Sequence, residues 1–156
     1  PNLRASLVPT LLAALRHNQH YANSSPDLFE LSTVFCQREG RICEAKSLCA
    51  ISCDSFERVK GVLEELCRRL HIALQTAPES VKILEKGAAG VVKLGEKRIG
   101  ICGMLSDALR EKADIREAVY LFEVNADALI EAARETVPFQ PLPHHPTVQR
   151  LSLIHI

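Results

Sequence analysis

Thiols, imidazoles and clustered charges are the groups that could do chemistry in this chain of 156 residues. The thiols are Cys36, Cys43, Cys49, Cys53, Cys67 and Cys102. A structural zinc site asks for tight pairs spaced about C-x2–4-C, and Cys49-x-x-x-Cys53 comes nearest to that. The pair sits in the alternating run "SLCAISC", which puts both thiols on one face of a strand. The expectation is therefore reduced, mostly buried thiols that pack as small hydrophobes. Cys102, in "GICGM", has no histidine nearby in sequence to serve as its base, so it reads as a buried thiol. His144-His145 could bind a metal or act as a base, but their proline-rich setting fixes neither ring, and they read as exposed spacers. His17 and His20, three apart on an expected helix, read as an exposed or partner-facing pair. Asp107, Arg110 and Glu111 read as a solvated helix face. The chain has no P-loop and no G-x-G-x-x-G run. These residues predict no catalytic, cofactor-binding or metal-binding set.

Composition agrees with a packed domain. Hydrophobic residues make up 47% and charged residues 24%, near the globular average, and the length suits one core. Lys+Arg and Asp+Glu number 19 each. A duplex-binding surface usually carries a basic excess, and none stands out in bulk. Aromatics are only 4%, with no Trp, so platforms for stacking bases are scarce. No apolar run approaches the ~20 residues of a membrane span, and no basic-then-apolar leader opens the chain. Disulfide-rich secreted domains are usually shorter, so the thiols point to a reducing cytoplasm.

The elements follow from periodicity. In "SLVPTLLAALRHNQHY", Leu7, Val8, Leu11, Leu12 and Leu15 recur at helical spacing; Ser6 caps the start and Pro9 falls in the tolerant first turn. "LFELSTVF" alternates as a strand, with Phe29, Leu31, Thr33 and Phe35 as its apolar face. "SLCAISC" is a second strand, joined to the first by a polar tip of roughly ten residues. "DSFERVKGVLEELCRRLHI" is the clearest helix, with a core stripe of Phe56, Val59, Val62, Leu63, Leu66 and Leu70. Asp54 or Ser55 caps it, and Glu64 is placed to pair with Arg68. Gly61 inside it costs about 1 kcal/mol unless a neighbour needs the room. "AGVVKLGEKRIGICGML" is a hairpin turning at Gly95-Glu96, whose Gly100 and Gly103 signal a bulge or a close backbone approach. "SDALREKAD", capped by Ser106, is a short helix. "AVYLFEVN" is a strand, and "ADALIEAARE", capped by Asn125 or Asp127, is a closing helix. "TVPFQPLPHHPTVQR" should run extended as a linker. Mostly antiparallel strands with helices alongside make an α+β domain.

Two stretches, "LRASLVPTLLAALRHN" and "LFELSTVF", together resemble the beta chain of bacterial-type phenylalanine–tRNA ligase. The family pattern is close to L-R-T/S-S-L-L/V-P-G-L-L, then a helix ending near R-x-N, then L-F-E-I/L-G-x-V-F. Leu3, Arg4, Ser6, Leu7, Pro9, Leu11, Leu12, Arg16, Asn18, Leu28, Phe29, Glu30, Val34 and Phe35 match it. Thr10 and Ser32 stand where glycine is usual. "FERVKGVLEELCRRLHI" resembles the family's F-x-x-x-K-G-x-V/L-E-x-L-L helix. In the following hairpin and helix, Met104-Leu105-Ser106-Asp107 replaces the usual Glu-Leu-His-Pro. "VYLFEVNADALI" and "FQPLPHHPTVQR" follow in family order, so the resemblance runs nearly to Arg150.

The resemblance implies a class II aminoacyl-tRNA synthetase-like antiparallel sheet flanked by helices, without the active site. Catalytic chains of that class hold ATP through an R-x-E loop between two strands, and through a Gly-rich strand leading into an Arg-bearing helix. The first region here is Cys36–Lys46, with Arg38-Glu39 and Arg41, read as a solvated loop. The second is Tyr120–Ile130, which holds neither Gly nor Arg and offers no phosphate partner. The implied role is structural, with Arg4, Ser6, Pro9, Asn18, Phe29 and Glu30 as structural or assembly residues, and with Arg4 paired across an interface or capping a neighbouring loop. The implied partners are the alpha subunit, a second beta subunit and, through the whole complex, tRNA; ATP and Mg serve the complex and not this fragment. Two rival readings are a catalytically competent class II-like domain and a tRNA-contacting module. By residue, 1–137 reads as an N-terminally truncated, inactive synthetase core, and 138–150 as a linker toward an absent anticodon-binding domain. Leu151–Ile156 spells what CTG TCT CTT ATA CAC ATC encodes, a transposon-end adapter of sequencing libraries, and is expected to be translated adapter.

Overall fold

The computed structural model describes residues 3–22, 25–38 and 40–133. The 138–150 linker, His144-His145, Leu151–Ile156 and the end of the closing helix lie outside the described residues, as do Glu39 and the side chain of Arg38. In chain order the elements are α1 (Val8–Ala22), β1 (Leu28–Arg38), β2 (Arg41–Ser52), α2 (Phe56–Arg69), β3 (Gln75–Pro78), β4 (Leu84–Leu94), β5 (Lys97–Leu105), α3 (Asp107–Lys112), β6 (Tyr120–Asn125) and α4 (Ala126–Ala133). The strands form one six-stranded sheet in the order β1-β2-β6-β5-β4-β3, and every neighbouring pair is antiparallel.

Each face of the sheet carries its own core. On one side Leu7, Leu11, Leu12 and Leu15 of the α1 region pack with Cys49, Ile51 and Leu121, and Leu109 of α3 joins them. Fully burying one such leucine is worth about 2 kcal/mol. On the other side Val59, Leu63 and Cys67 of α2 pack with Phe122, Val124 and Leu129. Strand alternation makes both cores at once: in β6, Leu121 turns to the first and Phe122 and Val124 to the second.

Local signals explain most boundaries. The Ser6 hydroxyl accepts from the Val8 amide at 3.2 Å, and Pro9 sits in the first turn of α1. Ser55 caps α2 by accepting from Arg58 N at 3.2 Å, and Asn125 caps α4 by accepting from Ala128 N at 2.8 Å. Gly100 stands so close to β6 that an added Cβ would lie 2.3 Å from the Glu123 carbonyl, and one on Gly103 would lie 2.2 Å from that of Ala88. The expected close approach is real at both positions.

Several expectations need correcting. The β1–β2 connection is no long tip: the ladder runs on through Cys36↔Cys43 to Arg38↔Arg41, and Gly40, at φ 78, takes the left-handed backbone just before β2. The apolar face of β1 also points the other way. Leu28 and Val34 pack inward toward α1, whereas Phe29 is 76% and Leu31 57% exposed, because α2 does not reach the outer strand. Val62 drops out of the α2 core stripe at 54% exposure, and Cys67 takes a buried place there. Glu64 pairs with Lys60, while Arg68 and Arg69 both bind Glu65 at 2.7 Å. Ser106 holds the cap position of α3, but its hydroxyl makes no cap bond. Arg110 is no solvated side chain; it donates to the Ile115 and Arg116 carbonyls at 3.2 and 2.9 Å and clamps the chain leaving α3. Strand β3 was not expected, since four residues carrying one proline give no usable alternation.

Candidate functional site

Three neighbouring strands align a row of side chains on the α1 face. Glu30 of β1 stands opposite Cys49 of β2, and Cys49 opposite Glu123 of β6. The segment before α1 lies across this row and binds both carboxylates. Arg4 pairs with Glu30 at 2.7 Å, donates Nε to the Thr33 carbonyl at 3.1 Å and donates to the Ser32 hydroxyl. Its own carbonyl accepts from Phe35 N at 2.8 Å. Two residues on, Ser6 donates to Glu123 Oε2 at 2.7 Å, and Leu7 N donates to Oε1 at 2.8 Å. Ser47 adds a third bond to Glu123, at 3.1 Å.

The row is acidic and closed. Burial pushes the Cys49 thiol far up from its ordinary range, and the Glu123 and Glu30 carboxylates beside it push the same way. Cys49 is a neutral, fully buried thiol, which cannot act as a nucleophile. Burial also pushes Cys67 and Cys102 up. Cys53 is pushed up to about 11 by burial, followed by its contact with Glu117. Among the described residues no three His, Cys, Asp or Glu side chains converge as a metal site requires.

The expected site residues divide between places. Arg4, Ser6 and Glu30 meet on the α1 face, and Pro9 begins the helix that follows them. The Arg4 partner is internal, on β1. Asn18 turns back onto its own helix, donating to the Ala14 carbonyl at 2.8 Å, and Phe29 faces out on the opposite side of the sheet. His17 lies against Tyr21, ring centroids 4.6 Å apart, with both residues exposed. Glu123 and Ser47 were missed in the sequence. The signal for Glu123 was there: a carboxylate in mid-strand, between Phe122 and Val124, demands partners.

The two regions that would serve a nucleotide are the β1–β2 turn and the β6–α4 junction, carried on the neighbouring strands β2 and β6. From Tyr120 to Ala133 there is no Lys, Arg or Gly. A helix N-terminus ordinarily attracts anions through free amides and its dipole. At α4 Asn125 already takes the Ala128 amide, and Asp127, reaching to the Lys46 amide at 2.8 Å, places a negative charge in the first turn. A shallow cavity of about 550 Å³ beside the junction is lined by Glu123, Asp127 and Glu131 against Lys97 and Arg98 of β5, and Arg98 is already paired with Glu79 at 2.7 Å. Around this cavity the carboxylates Glu123, Asp127 and Glu131 outnumber the cations Lys97 and Arg98.

Known proteins share this fold. The fold matches a pyrrolysyl tRNA synthetase from Desulfitobacterium hafniense with a TM-score of 0.63 at 20% identity, over 81% of this chain and 48% of that one. The sheet is thus of the class II aminoacyl-tRNA synthetase type. In sequence, the phenylalanine–tRNA ligase beta subunit of Dehalococcoides mccartyi is 29% identical over 163 residues. That of Thermotoga maritima is 27% identical over 161 residues, and that of Listeria innocua 28% over 167. These alignments take in 95%, 95% and 96% of this chain, which spans about a fifth of the length of those relatives (20%, 20% and 21%). The family model for the phenylalanyl tRNA synthetase beta chain CLM domain matches residues 1–126, from the Arg4 segment through β6 and into α4. With a synthetase sheet whose carboxylate row is tied down by the segment leading into its first helix, the chain belongs to the phenylalanyl tRNA synthetase beta chain CLM domain family.

Proposed function

We propose that this chain is a structural, non-catalytic domain of a phenylalanine–tRNA ligase beta subunit. It supports the alpha subunit, which attaches phenylalanine to its tRNA with ATP and Mg. The working assembly is two alpha and two beta chains in the cytoplasm, with tRNA engaged through the whole complex. Among the described residues no helix is long and apolar enough to cross a membrane.

The observation that carries this reading is the β6–α4 junction. Phosphoryl chemistry needs cations aimed at developing negative charge. Here the helix N-terminus is filled by Asn125 and guarded by Asp127. Glu123, half-buried on the α1 face, is a carboxylate with three donors of its own. Such a site repels a triphosphate and rewards rigidity.

Phenylalanine-dependent ATP–pyrophosphate exchange tests it. The full-length beta subunit alone should give no exchange above background, and adding the alpha subunit should restore it. A Lys97→Gln/Arg98→Gln variant should restore it equally well. Exchange by the beta subunit alone, abolished in that variant, would overturn the reading.

A further inference from the structure

A second cavity, of about 790 Å³, opens on the α1 face between α1, α3, β5 and the 81–83 segment. Its volume falls in the range of small-molecule sites, about 300–1,000 Å³. The floor is apolar, made by Val8 and Leu12 of α1, Ile83, Ile101 and Leu109. Around it stand four cations, Arg16, Lys82, Arg98 and Lys112. Arg16 is paired with Asp114 at 3.1 Å and Arg98 with Glu79 at 2.7 Å, and neither carboxylate lines the cavity. Lys82 and Lys112 are exposed and form no ion pair among the described residues. The one lining carboxylate, Glu123, is occupied by Ser6, Leu7 N and Ser47.

From this apolar floor, cationic margin and absence of unsatisfied buried polar side-chain atoms among the described residues, we propose that the cavity binds a small anionic amphiphile. The apolar body sits against Leu12 and Ile101, and the carboxylate or equivalent anion sits between Lys82 and Lys112. A polar group pushed to the floor would lose its water without gaining a partner. An uncharged apolar molecule would leave the two lysines unused. Opposite charge at the mouth and apolar surface below therefore select one class together. The cavity shares Arg98, Ile101 and Glu123 with the one beside the β6–α4 junction, but Lys82 and Lys112 line this one alone, and the inference goes beyond the structural role proposed above.

Titration calorimetry on the full-length subunit, with its alpha partner present, tests the proposal, using octanoate and its neutral counterpart 1-octanol. Octanoate should saturate at one per chain and bind about tenfold tighter than octanol. Lys82→Gln/Lys112→Gln should weaken octanoate about tenfold and leave octanol unchanged. Ala13 is exposed on α1 and lines the cavity, so Ala13→Trp should fill it and abolish binding of both. An unchanged melting temperature in each variant confirms that the fold is intact. Absent saturation by octanoate, equal binding of the two probes, or octanoate binding that survives either variant would overturn the assignment.

Discussion

Ser6 donates its hydroxyl to the Glu123 carboxylate at 2.7 Å, across 117 positions of sequence. The bond ties the start of α1 to the central part of the sheet, since β6 lies between β2 and β5. Leu7 N reinforces it at 2.8 Å, which makes Glu123 in effect the N-terminal anchor of a helix that does not contain it.

Removing that anchor should be expensive. Glu123→Ala leaves the Leu7 amide without its acceptor and removes a charged acceptor from two serines, so the expected loss is about 3 kcal/mol. Ser6→Ala should cost about 1 kcal/mol. Urea titrations read both values as shifts in midpoint at constant slope. Equal costs for the two variants would mean that Glu123 does not organise the site.

Two glycines should respond in opposite directions. A Cβ on Gly61 meets nothing within 4 Å, so Gly61→Ala should stabilise α2 by about 1 kcal/mol. At Gly100 the added carbon would sit 2.3 Å from the Glu123 carbonyl and 2.6 Å from a Val124 methyl. Gly100→Ala should therefore destabilise by about 2 kcal/mol or more, as overpacking does. Thermal melts of the two variants, compared with the parent, check both signs.

Adjacent positions on α2 give a third contrast. Val62 is 54% exposed and Leu63 is 1% exposed. Leu63→Ala should cost about 3 kcal/mol, while Val62→Gln should stay within about 0.5 kcal/mol. A large loss from Val62→Gln in denaturant titration would restore Val62 to the core stripe.

The thiols predict both reactivity and pH dependence. Cys36 is exposed and Cys43 half-buried, whereas Cys49, Cys67 and Cys102 are buried. An aromatic disulfide reagent at pH 8 should label Cys36 quickly and Cys43 more slowly, and reach the buried three only after unfolding. Burial raises the thiol pKa of Cys49, Cys53, Cys67 and Cys102. Above about pH 8.5 the unfolded chain releases thiol protons that the folded chain keeps. Their contribution is complete below that pH and is lost as pH rises, for Cys53 up to its folded value of about 11. The midpoint in urea should fall between pH 8.5 and 11, and replacing Cys53 with Ala should flatten the fall.

Periodicity carried most of the fold into the sequence. Leu7, Leu11 and Leu15 predicted the buried stripe of α1, and the caps Ser55 and Asn125 act as read. Where reading failed, a local pattern met a tertiary fact. Phe29 and Leu31 look like a core face, but sequence does not say that β1 is the outermost strand, beyond the reach of α2. The β1–β2 turn looked long because Gln37, Arg38 and Arg41 are polar, yet an edge hairpin can project polar residues while its ladder continues. The site was half legible. Arg4, Ser6 and Glu30 entered through family resemblance, whereas Glu123 required knowing which strand lies beside β2.

The tie between Ser6 and Glu123 also sets an order of events in the cell. Helix α1 leaves the ribosome before β6, and its anchor is made more than a hundred residues later. Until β6 emerges and slots between β2 and β5, the leucines of α1 have no finished surface to cover. The nascent segment therefore stays open to chaperones or to misplaced partners until β6 arrives.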